Sequence, residues 1–197
     1  MGIIMRAFSE PLKELKEFEN LSAIVQKLRG IAQISGCIDA AKPHLMYSVN
    51  NGSGNRIIVT FQEQRAKEIY EEYRFFDPKA AYYPAKDILF YQSDIRGNVL
   101  TAESINALKM LAEEPACTII TTFEGLMNPM PVPENFIQSV IKVVVGDTLN
   151  LEELVKHLVE LGYEKNYQAE TMGEFSVRGG ILDIFPLTED NPFRIEF

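Results

Sequence analysis

The sequence predicts an α/β lobe built on a parallel sheet, followed by a small α+β domain. Three observations carry that prediction. In residues 1–127, short and almost continuous apolar runs alternate with segments that repeat apolar residues at helical spacing. Residues 128–135 hold Pro129, Pro131 and Pro133, an extended linker in which no helix can form. In residues 136–197 the pattern changes to one helix and closely spaced strands around Gly179-Gly180.

Ser9 to about Phe18 reads as a first short helix, with Leu12, Leu15 and Phe18 on one side. Asn20 can cap a second, in which Leu21, Ile24, Val25 and Leu28 recur at helical spacing until Gly30. Ile31–Ile34 reads as a short strand and Ser35-Gly36 as a turn. Lys42–Val49 is predicted helical, since Pro43 is tolerated in a first turn. Arg56–Thr60 is a strand of the fully buried type. Thr60 and Glu63 then form a capping box for a helix with Ala66, Ile69, Tyr70 and Tyr73 on one face. Ala80–Tyr83 reads as a weaker strand, and Pro84–Asn98 as a loop holding Phe90 and Tyr91. Thr101 caps the next helix, with Ile105, Leu108 and Leu111 inward, and Cys117–Thr122 is a further buried strand.

Beyond the linker, Val140–Val145 reads as a strand. Asn150, with Glu153 three residues on, caps a helix carrying Leu151, Leu154, Val155, Leu158 and Leu161, which Gly162 closes. Gly173–Pro186 reads as a hairpin, because both central glycines can take positive φ without steric cost. Pairing across that turn sets Val177 opposite Leu182 and Phe175 opposite Ile184, which makes one apolar face. Ser176, Arg178, Ile181, Asp183 and Phe185 make the other. A slip of one residue would bury the charges, so the register is expected to be firm. Two readings of the second face stay open. It is either a partner surface anchored by an arginine and an aromatic, or a solvated face on which Arg178 pairs with Asp183 and Phe185 folds under a loop. Phe193–Phe197 reads as a last strand, and the domain is expected to be truncated at its C-terminal side.

A net charge of -9 and a pI near 4.8 weigh against non-specific nucleic-acid binding, which needs clustered Lys and Arg. Cys37 and Cys117 lie far apart in apolar surroundings and read as reduced thiols; no disulfide or metal site is expected. No run approaches the ~18 apolar residues of a membrane span, and Met1–Glu10 lacks the pattern of a signal peptide. A cytoplasmic protein without a membrane partner is expected. His44 and His157 are the only histidines, and no Cys or Asp stands at ligand or triad spacing from them, so no catalytic residue is assigned.

The first strand-to-helix turn is nearly a phosphate loop. A working one is Gly-x-x-x-x-Gly-Lys-Ser/Thr between a strand and a helix. The chain has Gly36-Cys37-Ile38-Asp39-Ala40-Ala41-Lys42-Pro43 there. Ala41 adds a Cβ where the backbone should approach the ligand. Pro43 removes both the Mg²⁺-binding hydroxyl and a donor N–H, and Asp39 puts a negative charge in the cradle. No Asp-Glu dipeptide supplies a helicase-type acidic pair. Gly36, Ala41, Lys42 and Pro43 therefore read as a degenerate, inactive nucleotide site with no cofactor. Whether the turn was ever a phosphate loop stays open on the residues alone.

The run Gly173-Glu174-Phe175-Ser176-Val177-Arg178-Gly179-Gly180-Ile181-Leu182-Asp183-Ile184-Phe185-Pro186, followed by Pro192-Phe193-Arg194-Ile195-Glu196-Phe197, resembles the signature of the transcription-repair coupling factor (Mfd) family. A looser version occurs in the excision-repair protein UvrB. The likeness extends over nearly the whole chain, which is identified as an N-terminal piece of a member of that family. For residues 1–127 it implies a UvrB-like first ATPase lobe that has lost its nucleotide motif. For residues 136–197 it implies the small domain that docks the damage sensor UvrA. Carried over residue by residue, it implies that Arg178, which ends the Phe-x-Val-Arg-Gly strand, and Phe185 of Asp-Ile-Phe-Pro contact UvrA, with Asp183 beside them. Lys165 falls where UvrB has an arginine in Tyr-Glu-Arg-Asn; it keeps the charge and loses the bidentate fork. Ser176 stands in place of another UvrB arginine. Arg194 and Glu196 extend the same face along the last strand. UvrB also carries a tyrosine-rich hairpin that clamps DNA, but the segment after Tyr82-Tyr83-Pro84 is too short for it, so these aromatics are expected in the core.

Two functions follow. The first is a catalytically inert protein-interaction module of a transcription-coupled DNA repair factor, recruiting UvrA. The resemblance implies that RNA polymerase and DNA are engaged only through other parts of a longer ATP-dependent DNA translocase. The second is a UvrB-like ATP-dependent helicase or damage-recognition lobe with a divergent phosphate loop. Ala41, Pro43 and the missing acidic pair favour the first.

Overall fold

The structure, a computed structural model, describes residues 10–27, 30–50, 54–85, 94–129, 136–137 and 140–197. The chain divides into two compact units, Met1–Ala85 with Lys109–Met127 and Lys86–Leu108 with Asn128–Phe197. The second therefore takes in Lys86–Leu108, which lies within the expected lobe of residues 1–127. Of the expected linker, residues 130–135 lie outside the described residues.

In the first unit, α1 (Lys16–Gln26) and α2 (Lys42–Asn50) precede β1 (Arg56–Thr60), α3 (Glu63–Tyr73) and β2 (Ala80–Tyr83). Then come β3 (Thr118–Thr122) and the short α5 (Phe123–Leu126); α4 (Asp94–Glu113) lies between β2 and β3 in the chain. The three strands form a parallel sheet, as the near-continuous apolar runs predict, in the order β1-β3-β2. β1, expected to be of the fully buried type, stands at one end of that order, and its Ile57 is 62% exposed. Helix α3 lays Ala66, Ile69 and Tyr73 against Ala80, Tyr82 and Ile120, with Met46, Tyr47, Ile58 and Tyr70 around them. Burying a side chain of this kind contributes roughly 1.5–3 kcal/mol. Tyr82 and Tyr83 are buried, and the Tyr82 hydroxyl donates to Glu63 Oε1 at 2.9 Å. Phe90 and Tyr91 lie outside the described residues. A polar knot ties the N-terminal ends of β1 and β3: Arg56 Nη2 donates to Asp77 Oδ2 at 2.6 Å and Arg56 Nε to Thr118 Oγ1 at 2.8 Å. A pair this buried adds little by itself, yet removing one member strands a charge.

Five local expectations are corrected. Asn20 does not cap a second helix: a 3-10 turn at Glu10–Glu14 leads into α1, which runs through Asn20. Phe18, Leu21 and Val25 form one helical stripe, so nothing breaks it. Ile31–Ile34 forms no strand; Ile31 is 99% exposed and Ile34 is 52% exposed. Thr60 does not cap α3, because two more residues are needed to leave the strand. The N-cap is Gln62, and the Thr60 hydroxyl donates to the Gln62 carbonyl at 2.9 Å. Helix α4 begins at Asp94, so Asp94–Asn98, expected in a loop, are helical and Thr101 lies inside the helix; Ala107 is buried, while Leu111 is exposed. Val140–Val145 forms no strand, because Asp147 bends the chain. Its N–H donates to the Val144 carbonyl at 3.0 Å and its carboxylate accepts from the Val144 N–H at 2.8 Å, around Gly146 at φ 98°.

The second unit builds on α6 (Leu151–Glu160). Asn150 caps it as predicted, its Oδ1 accepting from the N–H groups of Glu152 and Glu153 at 2.8 and 3.3 Å. Strands β4 (Glu164–Lys165), β5 (Glu174–Arg178), β6 (Ile181–Ile184) and β7 (Phe193–Glu196) form one mixed sheet in chain order. β4 is parallel to β5, and the other pairs are antiparallel. The hairpin register is the predicted one: Phe175 pairs with Ile184 and Val177 with Leu182. Of the two turn glycines, Gly179 takes positive φ, at 60°, and Gly180 does not. Leu154 and Leu158 of α6 pack on Phe175 and Leu182, joined by Val177, Ile184 and Ile195.

Candidate protein-interaction site

Strand alternation sorts the second sheet into two faces. Phe175, Leu182 and Ile195 turn toward α6. The opposite face carries Ser176, Arg178, Ile181 and Asp183 of the hairpin. Register adds Arg194, paired with Asp183, and Glu196, paired with Ile181. Four of the six expected contact residues, Arg178, Asp183, Arg194 and Glu196, thus share one side by alternation, and Phe185 follows directly on the end of β6. Lys165 pairs in register with Phe175, so alternation sets it in the other row; its side chain is exposed.

Asp183 and Arg194 are joined by two hydrogen bonds, Nε to Oδ1 at 2.7 Å and Nη2 to Oδ2 at 2.9 Å. The guanidinium holds the Asp183 carboxyl below its usual range, and Asp183 in turn raises Arg194. This overturns the simple pairing of Arg178 with Asp183. Arg178 is exposed; its Nη2 donates to the Tyr167 carbonyl at 3.0 Å, and its guanidinium lies 5.8 Å from the centre of the Tyr167 ring. Phe185 is half-buried and fixed by its backbone: its N–H donates to the Glu174 carbonyl at 2.9 Å and its carbonyl accepts from the Gly173 N–H at 2.8 Å.

Two features of this face were not read from the sequence. Ser176, expected outward, is 2% exposed, and among the described residues its hydroxyl has no hydrogen-bond partner. It sits between Glu174 and Arg178, and both hold the Asn166–Gly173 segment that connects β4 to β5. Glu174 is the other feature. Its carboxylate accepts from the Thr171 and Glu170 N–H groups, each at 2.9 Å, and from Asn166 Nδ2 at 2.7 Å. Those donors, the Thr171 N–H first, depress its pKa. An acid followed by a strand and preceded by a short polar connection was the only available signal.

In the first unit, Gly36 keeps a positive φ of 77°, but no strand leads into it, and a 3-10 turn at Asp39–Ala41 runs into α2. Lys42 Nζ lies 2.5 Å from Asp39 Oδ1, and this contact lowers the Asp39 pKa. Pro43 is buried, and Ala41 is partly buried. The lysine that would reach a phosphate is directed to a neighbouring carboxylate. Among the described residues no group of His, Cys, Asp and Glu could hold a metal ion. None of their helices is long and apolar enough to cross a membrane.

A family model described as the UvrB interaction domain matches residues 141–197, which contain α6 and the four-stranded sheet. The chain is 26% identical over 188 residues to the transcription-repair-coupling factor of Bacillus subtilis (strain 168), a match covering 92% of this chain. It is 27% identical over 188 residues to the transcription-repair-coupling factor of Staphylococcus aureus (strain USA300), covering 94% of this chain. The match spans 16% of the length of each relative.

Proposed function

The chain is homologous to the N-terminal part of transcription-repair-coupling factors, and from that premise we propose that it is their catalytically inert interaction module, working in the cytoplasm to recruit UvrA. The observation that carries this reading is Arg178: an exposed guanidinium on a rigid sheet, inside the segment matched by the UvrB interaction domain. Asp183, the acid that could have neutralised it, is taken by Arg194. A charged group held in place beside an aromatic is the composition of a binding hot spot. The Lys42–Asp39 contact, with Ala41 and Pro43, supports the absence of nucleotide chemistry. Engagement of RNA polymerase and DNA is assigned to other regions of a longer protein. The test is capture of purified UvrA by this chain with and without Arg178→Ala: loss on substitution supports the reading, and unchanged capture refutes it.

A further inference from the structure

Tyr167 is 91% exposed, yet its backbone is not loose. The Asn166–Gly173 connection is closed at one side by Glu174, which accepts from Asn166, Glu170 and Thr171, and at the other by the bond from Arg178 to the Tyr167 carbonyl. An aromatic ring held in solvent on a fastened loop buries nothing for the fold, so stability does not explain it. It does lower the ordering cost of binding, because the ring and the guanidinium are positioned beforehand. Tyrosine and arginine are, with tryptophan, the residue types enriched in binding anchors. Among the described residues Arg178 makes no ion pair, which leaves its charge for an incoming acid.

We propose that Tyr167 is an aromatic anchor of the docking face, set beside Arg178 by the Glu174 clamp, and that the surface fits a protein partner presenting a carboxylate next to an apolar pocket. This rests on the reading of that face as the UvrA site, and it adds Tyr167 as a contact and Glu174 as a positioning residue. With purified UvrA as the probe, Tyr167→Ala in this chain weakens binding about tenfold and leaves the melting temperature unchanged, whereas Tyr167→Phe binds like the parent. Glu174→Ala abolishes slow hydrogen exchange at the Glu170 and Thr171 amides and weakens binding. If Tyr167→Ala binds like the parent while Arg178→Ala does not, the anchor is wrong and the docking face stands. If both bind like the parent, the docking face falls and the anchor with it. A Glu174→Ala variant with lost amide protection and parental affinity overturns the clamp.

Discussion

Arg194 holds Asp183 with two parallel hydrogen bonds across β6 and β7, at 2.7 and 2.9 Å. The pair keeps Asp183 from turning to Arg178 on the neighbouring strand. Arg194→Ala should therefore release Asp183 to compete for Arg178 and weaken UvrA binding about threefold. The double variant Asp183→Ala/Arg194→Ala should recover part of that loss, which a double-mutant cycle measures. A double variant as weak as Arg194→Ala would make Arg194 a direct contact instead.

Arg178→Ala should weaken UvrA binding by roughly 30-fold or more, the effect of removing a central anchor worth ~2 kcal/mol. Its melting temperature should barely change, since the side chain is exposed. Calorimetric titration and thermal melts separate the two effects. A variant that unfolds would make Arg178 a structural residue.

The Glu174 carboxyl titrates below its usual 4.5 because backbone N–H groups bind its charged form. A depressed folded-state pKa gives stability that is present above about pH 4.5 and is lost as pH falls through the folded value. Amide protection at Glu170 and Thr171 should fall in that acid range, beyond the change seen at other exposed loops. Glu174→Gln should remove the pH dependence, and a pH-dependent Gln variant would assign it elsewhere.

Phe175 of β5 is fully buried in a cluster with Leu154 and Leu158 of α6 and Leu182 of β6. Phe175→Ala should cost roughly 3–5 kcal/mol in urea denaturation. UvrA binding should disappear with the fold of the sheet, in contrast to Arg178→Ala.

Mg-ATP should leave the melting temperature unchanged, because a ligand that binds only the native state must raise it. Lys42 is engaged by Asp39, and Pro43 supplies neither hydroxyl nor N–H. A micromolar constant by calorimetry would instead favour an ATP-dependent helicase lobe.

What the residues alone determined was whatever depends on near neighbours in the chain. The Gly179-Gly180 turn and two-residue alternation set Phe175 on Ile184 and Val177 on Leu182, as observed. Asn150 capped its helix because an N-cap bond reaches only two or three residues. The strands at Arg56–Thr60, Ala80–Tyr83 and Thr118–Thr122 were legible as short apolar-rich runs. The burial of the first was not, because β1 stands at one end of the order β1-β3-β2 and leaves Ile57 exposed. Tertiary structure decided the rest. Ile31–Ile34 has the composition of a strand, but a strand exists only where a ladder receives its N–H and C=O groups, and none does here. Asp183 chose Arg194 over Arg178 because β7 brings Arg194 directly opposite, and a bidentate pair needs that register. Ser176 is buried and Tyr167 exposed because Glu174 closes a connection over the sheet through bonds that no periodicity encodes. Local pattern specifies which way a side chain faces; which partner it meets there depends on what the rest of the chain delivers.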